Sequence, residues 1–223
     1  MTGTDLDALV EALAAPEGWM PSALRRLEQD ALAARIPAGE QPALARAARA
    51  AGATMAADAR RRGWASADHA LRDLRVDVVE DDAEGRSGPL VHHAVYTAPP
   101  ARVTLYRGPI AALERLLTTP PLRERLGHVP VREAILAHEL FHHLVRAGGA
   151  PESVRPRVQT LRLGRWRRHA VVRAAEEIGA AGFAGAWCGL AWAPELLDHL
   201  TLALSAASDH RARTPLSRAG RPR

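Results

Sequence analysis

The chain has 223 residues, 47% apolar but only 4% aromatic, so it is long enough for one substantial core filled mainly by alanine and leucine, a composition that favours helices. Its formal charge of +5 rests entirely on arginine, because lysine is absent, and its single cysteine, Cys188, excludes an internal disulfide and fits a reducing, cytoplasmic setting. The start, MTGTDLDALVEALAAPEGW, carries acids where a secretory leader has a basic patch, and the uncharged stretch 178–193 falls short of the ~20 residues a bilayer requires.

In chain order, residues 4–15 and 21–35 read as short helices separated by the breakers of APEGWMP. Residues 41–64 continue the theme, with Pro42 placed for a first turn. Residues 1–70 are thus predicted to form an N-terminal helical extension. The texture then changes: RVDVVEDD (75–82), LVHHAVYTA (90–98) and ARVTLY (101–106) are β-branched runs divided by Gly and Pro signals. They predict a small three-stranded sheet, antiparallel or mixed, most simply a meander. PIAALERLLTT (109–119) predicts a helix stopped by Pro120-Pro121, and VREAILAHELFHHLVRAGG (131–149) another, entered at Pro130 and ended by Gly148-Gly149. A basic connector over 150–165 is expected to lead into helices at 166–191 and 195–208. Residues 209–223 read as a disordered basic tail. The fold class is α+β, with the main domain over 71–208. The arginines at 155–173 read as a solvated helix face, because no nucleic-acid-binding motif accompanies them.

Within AILAHELFHHL (134–144), His138 and His142 lie four apart and stack on one face of a helix, filling two corners of a metal site. Glu139 lies about 100° round the same helix, close enough to reach a water on the metal without being a ligand, which is the general-base arrangement of HExxH metallopeptidases. Chance would produce such a motif in this chain only roughly a few hundredths of the time. A catalytic zinc needs a third protein ligand, and the residue six after His142 is Gly148 rather than histidine. Glu176 and Glu177, opening an otherwise uncharged helix, are the source, since acids entering an apolar helix need a partner. A first-turn interaction with the helix dipole is the competing explanation. Glu177 is placed slightly ahead of Glu176, and periodicity does not separate them. His143 points away by about a hundred degrees. His92 and His93 alternate on their strand, where an ordinary sheet position is preferred to one facing the site, and Tyr96 or Tyr106 has a hydroxyl available for an oxyanion, with ring packing the simpler role.

With its ARVTLY strand, PIAALERLL helix, HELFH helix and Glu-led EEIGAAGFAGAWCGL, the stretch over roughly residues 75–197 resembles the ImmA/IrrE-like metallopeptidases, minimal zincins with a glutamate ligand. The resemblance implies a zinc-dependent metallopeptidase that cleaves an intracellular protein, such as a transcriptional regulator. Substrate backbone is expected to pair with a sheet edge, with 101–106 as the candidate strand. The alternative is a catalytically inactive zincin-like module that regulates or binds a protein. Nucleic acid is not expected as a partner.

Overall fold

The computed structural model describes residues 3–15, 17–88 and 90–213. The fold is α+β, with small sheets packed on helices. Helix α7 (Val131–Leu144) sits at its centre, burying Val131, Ala134, Ile135, Leu136, Leu140 and Phe141 at helical spacing. It ends in a π-helical turn, Val145–Gly149, where Gly148 takes φ +107°, a backbone conformation suited to glycine.

Helix α8 (Arg173–Cys188) packs on α7 through aromatic rings: Phe183 lies 5.7 Å from both Phe141 and Trp187, centroid to centroid. Trp187 Nε1 donates to Glu133 of α7 at 2.6 Å, and the same carboxylate oxygen accepts from the Ala67 amide at 2.7 Å. A half-buried acid thereby fixes α7 to α8 and to α4 (Ala67–Asp73), a short helix capped by Ser66 that the sequence reading left unassigned.

Two N-terminal helices complete the support of α8. Against its other side runs α3 (Gln41–Arg60), whose small residues let the two backbones touch. A Cβ on Gly52 would stand 2.0 Å from the Gly179 carbonyl oxygen, and one on Gly182 would stand 2.3 Å from that of Arg49. Gly52→Ala is therefore expected to destabilise the protein by about 2–3 kcal/mol, the reverse of the ~1 kcal/mol gain alanine brings to an exposed helix. Urea denaturation measures the difference. Helix α2 (Met20–Gln29) is followed by Asp30, whose carboxylate accepts from the Ala174 amide at 2.9 Å. Asp30 thus supplies α8 with the N-terminal cap that Val172, at the N-cap position, lacks. Helix α1 (Gly3–Ala14) adds Val10 and Leu13 to the main core.

The sheet is mixed, in the order β1 (Asp77–Asp81), β5 (Arg102–Tyr106), β4 (Ala94–Thr97), with β1 parallel and β4 antiparallel to β5. This corrects the meander. The middle position goes to the strand that buries Val103 and Leu105, while the acidic DVVED run takes an edge where its charges stay solvated. The 90–98 run also divides: β3 (Leu90–Val91) pairs with β2 (Arg86–Ser87), and only 94–97 joins the main sheet.

Three further elements depart from expectation. Pro120-Pro121 not only follow α5 (Arg107–Leu117) but open α6 (Pro120–Leu126), as proline does in a first turn. The predicted connector and the start of the next helix are instead a β-hairpin, β6 (Arg157–Leu163) and β7 (Trp166–Val171), joined by Gly164-Arg165 with Gly164 at φ +57°. Its Val, Thr, Leu and Trp content suits strands, and the many arginines obscured that signal. Helix α8 accordingly begins at 173 rather than 166. Helix α9 (Glu195–Arg213) runs beyond 208, and residues 214–223, most of the predicted tail, lie outside the described residues. No described helix is long and apolar enough to cross a membrane.

Candidate metal centre

Two elements make the site. The four-residue spacing on α7 brings His138 Nε2 within 3.1 Å of His142 Nε2. From α8, Glu177 places Oε2 3.4 Å from His138 Nε2 and Oε1 3.5 Å from His142 Nε2. One atom from each of the three, His138, His142 and Glu177, falls within 4.8 Å of the others, a group positioned to hold a metal ion. Two imidazole nitrogens and a carboxylate oxygen suit a borderline divalent ion, and three protein donors leave a tetrahedral position open.

The adjacent glutamates have different partners. Glu176 Oε1 lies 2.9 Å from His142 Nδ1, the nitrogen facing away from the three-residue group, and Arg155 Nε stands 3.6 Å from Glu176 Oε2. A carboxylate at Nδ1 holds the proton there and leaves Nε2 as a lone-pair donor, while fixing the plane of the ring. Consecutive helical positions differ by ~100°, which is why one acid reaches the near nitrogen and its neighbour the far one.

The charged groups of the site also act on one another. Burial works against charge on His138, but Glu177, bonded to it, raises its pKa to about 9. Burial likewise opposes charge on Glu177, and its bond to His138 overcomes that, lowering its pKa to about 2. A metal must displace the His138 proton, so binding releases a proton at any pH below about 9. Apparent metal affinity is expected to rise about tenfold per pH unit between pH 6 and 8, measured by competition with a coloured chelator. A flat profile would contradict the arrangement.

The group lies in a cleft of about 1240 Å³, into which Glu139, largely buried, also opens. Among the described residues no hydrogen bond or ion pair ties its carboxylate down, which leaves it free to handle a proton. On one side the cleft is walled by β4, an edge strand, through Ala94, Val95 and Tyr96. The candidate edge 101–106 is corrected accordingly: that segment is the middle strand, and its neighbour 94–97 presents the free edge to the cleft. Tyr96 shares a 2.9 Å hydrogen bond with His143 Nδ1, so His143, turned away from the ligand face, anchors the tyrosine. Tyr106 instead packs close to Gly85.

No protein-family model, no curated protein and no solved structure matches this chain.

Two cleft residues, Arg26 and Asp198, carried no signal in the sequence. Arg26 of α2 lies 2.5 Å from Asp198 of α9 and 4.0 Å from Glu177, joining residues 172 positions apart. His93 Nε2 bonds Thr201 Oγ1 at 2.7 Å, and burial lowers its pKa below the ordinary histidine value. The expected strand alternation of His92 and His93 is corrected, because both lie in the break between β3 and β4.

Proposed function

We propose that the chain is a zinc-dependent metallopeptidase of the ImmA/IrrE-like, glutamate-ligand kind, hydrolysing peptide bonds of a protein substrate inside the cell. The observation that carries this reading is the convergence of His138, His142 and Glu177 within 4.8 Å, in one cleft with Glu139. A histidine pair with one glutamate is a donor set of catalytic zinc sites. Bound there, zinc would supply a water of lowered pKa and a Lewis acid for the scissile carbonyl.

The chain's own residues do the rest. Glu139 takes the proton of the attacking water and passes it to the leaving amine. Glu176 keeps His142 in the ligating tautomer. An extended substrate lies along the free edge of β4, with its backbone hydrogen-bonding that strand across the group of ligands. Extended, accessible segments are therefore the preferred targets, and a transcriptional regulator is the substrate class that the family resemblance suggests. When His143 Nδ1–H donates to the Tyr96 oxygen, the phenol O–H is left for the oxyanion formed on the carbonyl.

The second reading is a binding or regulatory module without turnover. It draws on the His138–Glu177 ion pair, in which the two half-buried side chains satisfy one another. Hydrolysis of a dye-labelled unfolded polypeptide, stopped by a chelator and restored by zinc, supports the peptidase. Stoichiometric zinc with no turnover supports the module.

A further inference from the structure

We propose that the β6–β7 hairpin is a docking arm for the substrate, binding an extended segment in which Asp or Glu alternates with large apolar residues, ahead of the bond to be cut. The proposal rests on the peptidase reading of the cleft and names the class of polypeptide that the cleft receives.

Charge is the first observation. Residues 157–171 contain five arginines, Arg157, Arg162, Arg165, Arg167 and Arg168, and no acid. Among the described residues, none of these guanidinium groups has an ion-pair partner. Elsewhere about half of the described arginines are ion-paired, among them Arg46 with Glu17, Arg49 with Glu195, Arg72 with Asp68 and Arg107 with Glu80, whereas on the hairpin none is. The hairpin therefore presents a concentrated, uncompensated positive field.

Exposed apolar surface is the second. Leu161, Leu163 and Trp166 are 57%, 72% and 76% exposed, which includes the most exposed large apolar side chains of the described residues. Register explains their grouping. Leu163 pairs with Trp166 and Leu161 with Arg168, so these four share one face, while the Arg162–Arg167 pair occupies the other. An apolar patch of this kind on a protruding hairpin marks an interaction surface.

Continuity with the cleft is the third. Ala170 and Val171, at the base of β7, line the same cleft as His138 and Glu139, and Arg155 and Arg173 flank them there. The two-stranded sheet leaves an outer edge on β7. A polypeptide added along that edge would reach the cleft at its base, with its acids against the arginines and its apolar side chains against Leu163 and Trp166. The distribution argues for this partner over two others. A lipid surface would engage one face, whereas arginines occupy both. Nucleic acid phosphates would leave Leu161 and Leu163 without a partner.

The test uses the full chain carrying Glu139→Gln, so that nothing is consumed, and a fluorescein-labelled unstructured peptide of Asp, Glu, Leu and Ser. A counterpart with Lys replacing every acid, phosphatidylserine vesicles and a DNA duplex are the other probes. The acidic peptide is expected to bind at least about tenfold more tightly than its lysine counterpart, and Arg162→Ser/Arg167→Ser or Leu163→Ser/Trp166→Ser to weaken it by about tenfold. All four positions are exposed, so circular dichroism should be unchanged. In the active chain, the same hairpin variants should raise KM for a long acidic peptide while kcat holds. Binding with no cleavage of any peptide would keep the arm and remove the peptidase. Cleavage that ignores peptide charge and the hairpin variants would remove the arm and keep the peptidase. Tighter binding of vesicles or duplex, lost in those variants, would overturn the proposal in favour of that partner.

Discussion

Glu139→Gln is expected to retain zinc and to lose hydrolysis by about 10²–10⁴-fold, the contribution of a positioned general base. Glutamine matches glutamate in size and can still hydrogen-bond a water, but it cannot accept the proton. The substitution is mild for the fold, because the side chain opens into the cleft and no ion pair among the described residues depends on its charge. It separates the two readings of the site cleanly. A peptidase loses kcat with metal content unchanged, as read by mass spectrometry of bound zinc and turnover of a labelled polypeptide. A binding module has no turnover for the substitution to remove, and its affinity for a partner would hardly move. Unchanged hydrolysis in the variant would remove Glu139 from the chemistry altogether.

Metal retention gives the second large effect. His138→Ala, His142→Ala and Glu177→Ala should each come through purification essentially free of zinc, since each removes one of three donors. Glu176→Gln should behave differently. Its carboxylate sits on the far nitrogen of His142, so the variant is expected to bind zinc about 10–100-fold more weakly while keeping full stoichiometry at saturation. Equal retention in all four would refute the site, and loss at Glu176 with retention at Glu177 would exchange their roles. Thermal unfolding with and without added zinc adds a check, because an ion held only by the folded chain raises the melting temperature.

Some of this architecture was legible because its cause is local. The spacing of His138 and His142 needs only the helical repeat to bring the rings together, and the apolar pattern around them, with Pro130 before and Gly148 after, bounds the helix. The β-branched runs at 75–82 and 101–106 are strands for the same reason. The hairpin at 157–171 was hidden, because arginine is tolerated in either state and five of them are interspersed among the residues that mark a strand. The short helix at 120–126 was hidden behind a proline pair that both stops and starts.

What the sequence determined alone is the chemistry available: two imidazoles and a carboxylate on one helix, a pair of acids opening another, and a helix-rich core short of aromatic rings. What only the tertiary structure decided is how these meet. Glu177 faces the imidazoles and Glu176 backs one of them because glycine contacts against α3 and the Asp30 cap set the position of α8, to which α7 packs through Phe141. The free edge beside the cleft belongs to β4 because burial of Val103 and Leu105 drew β5 to the middle of the sheet. Spacing along a helix is fixed by the repeat of a single chain, whereas the rotation of one helix against another is fixed by close packing among residues far apart in sequence, which no local pattern encodes.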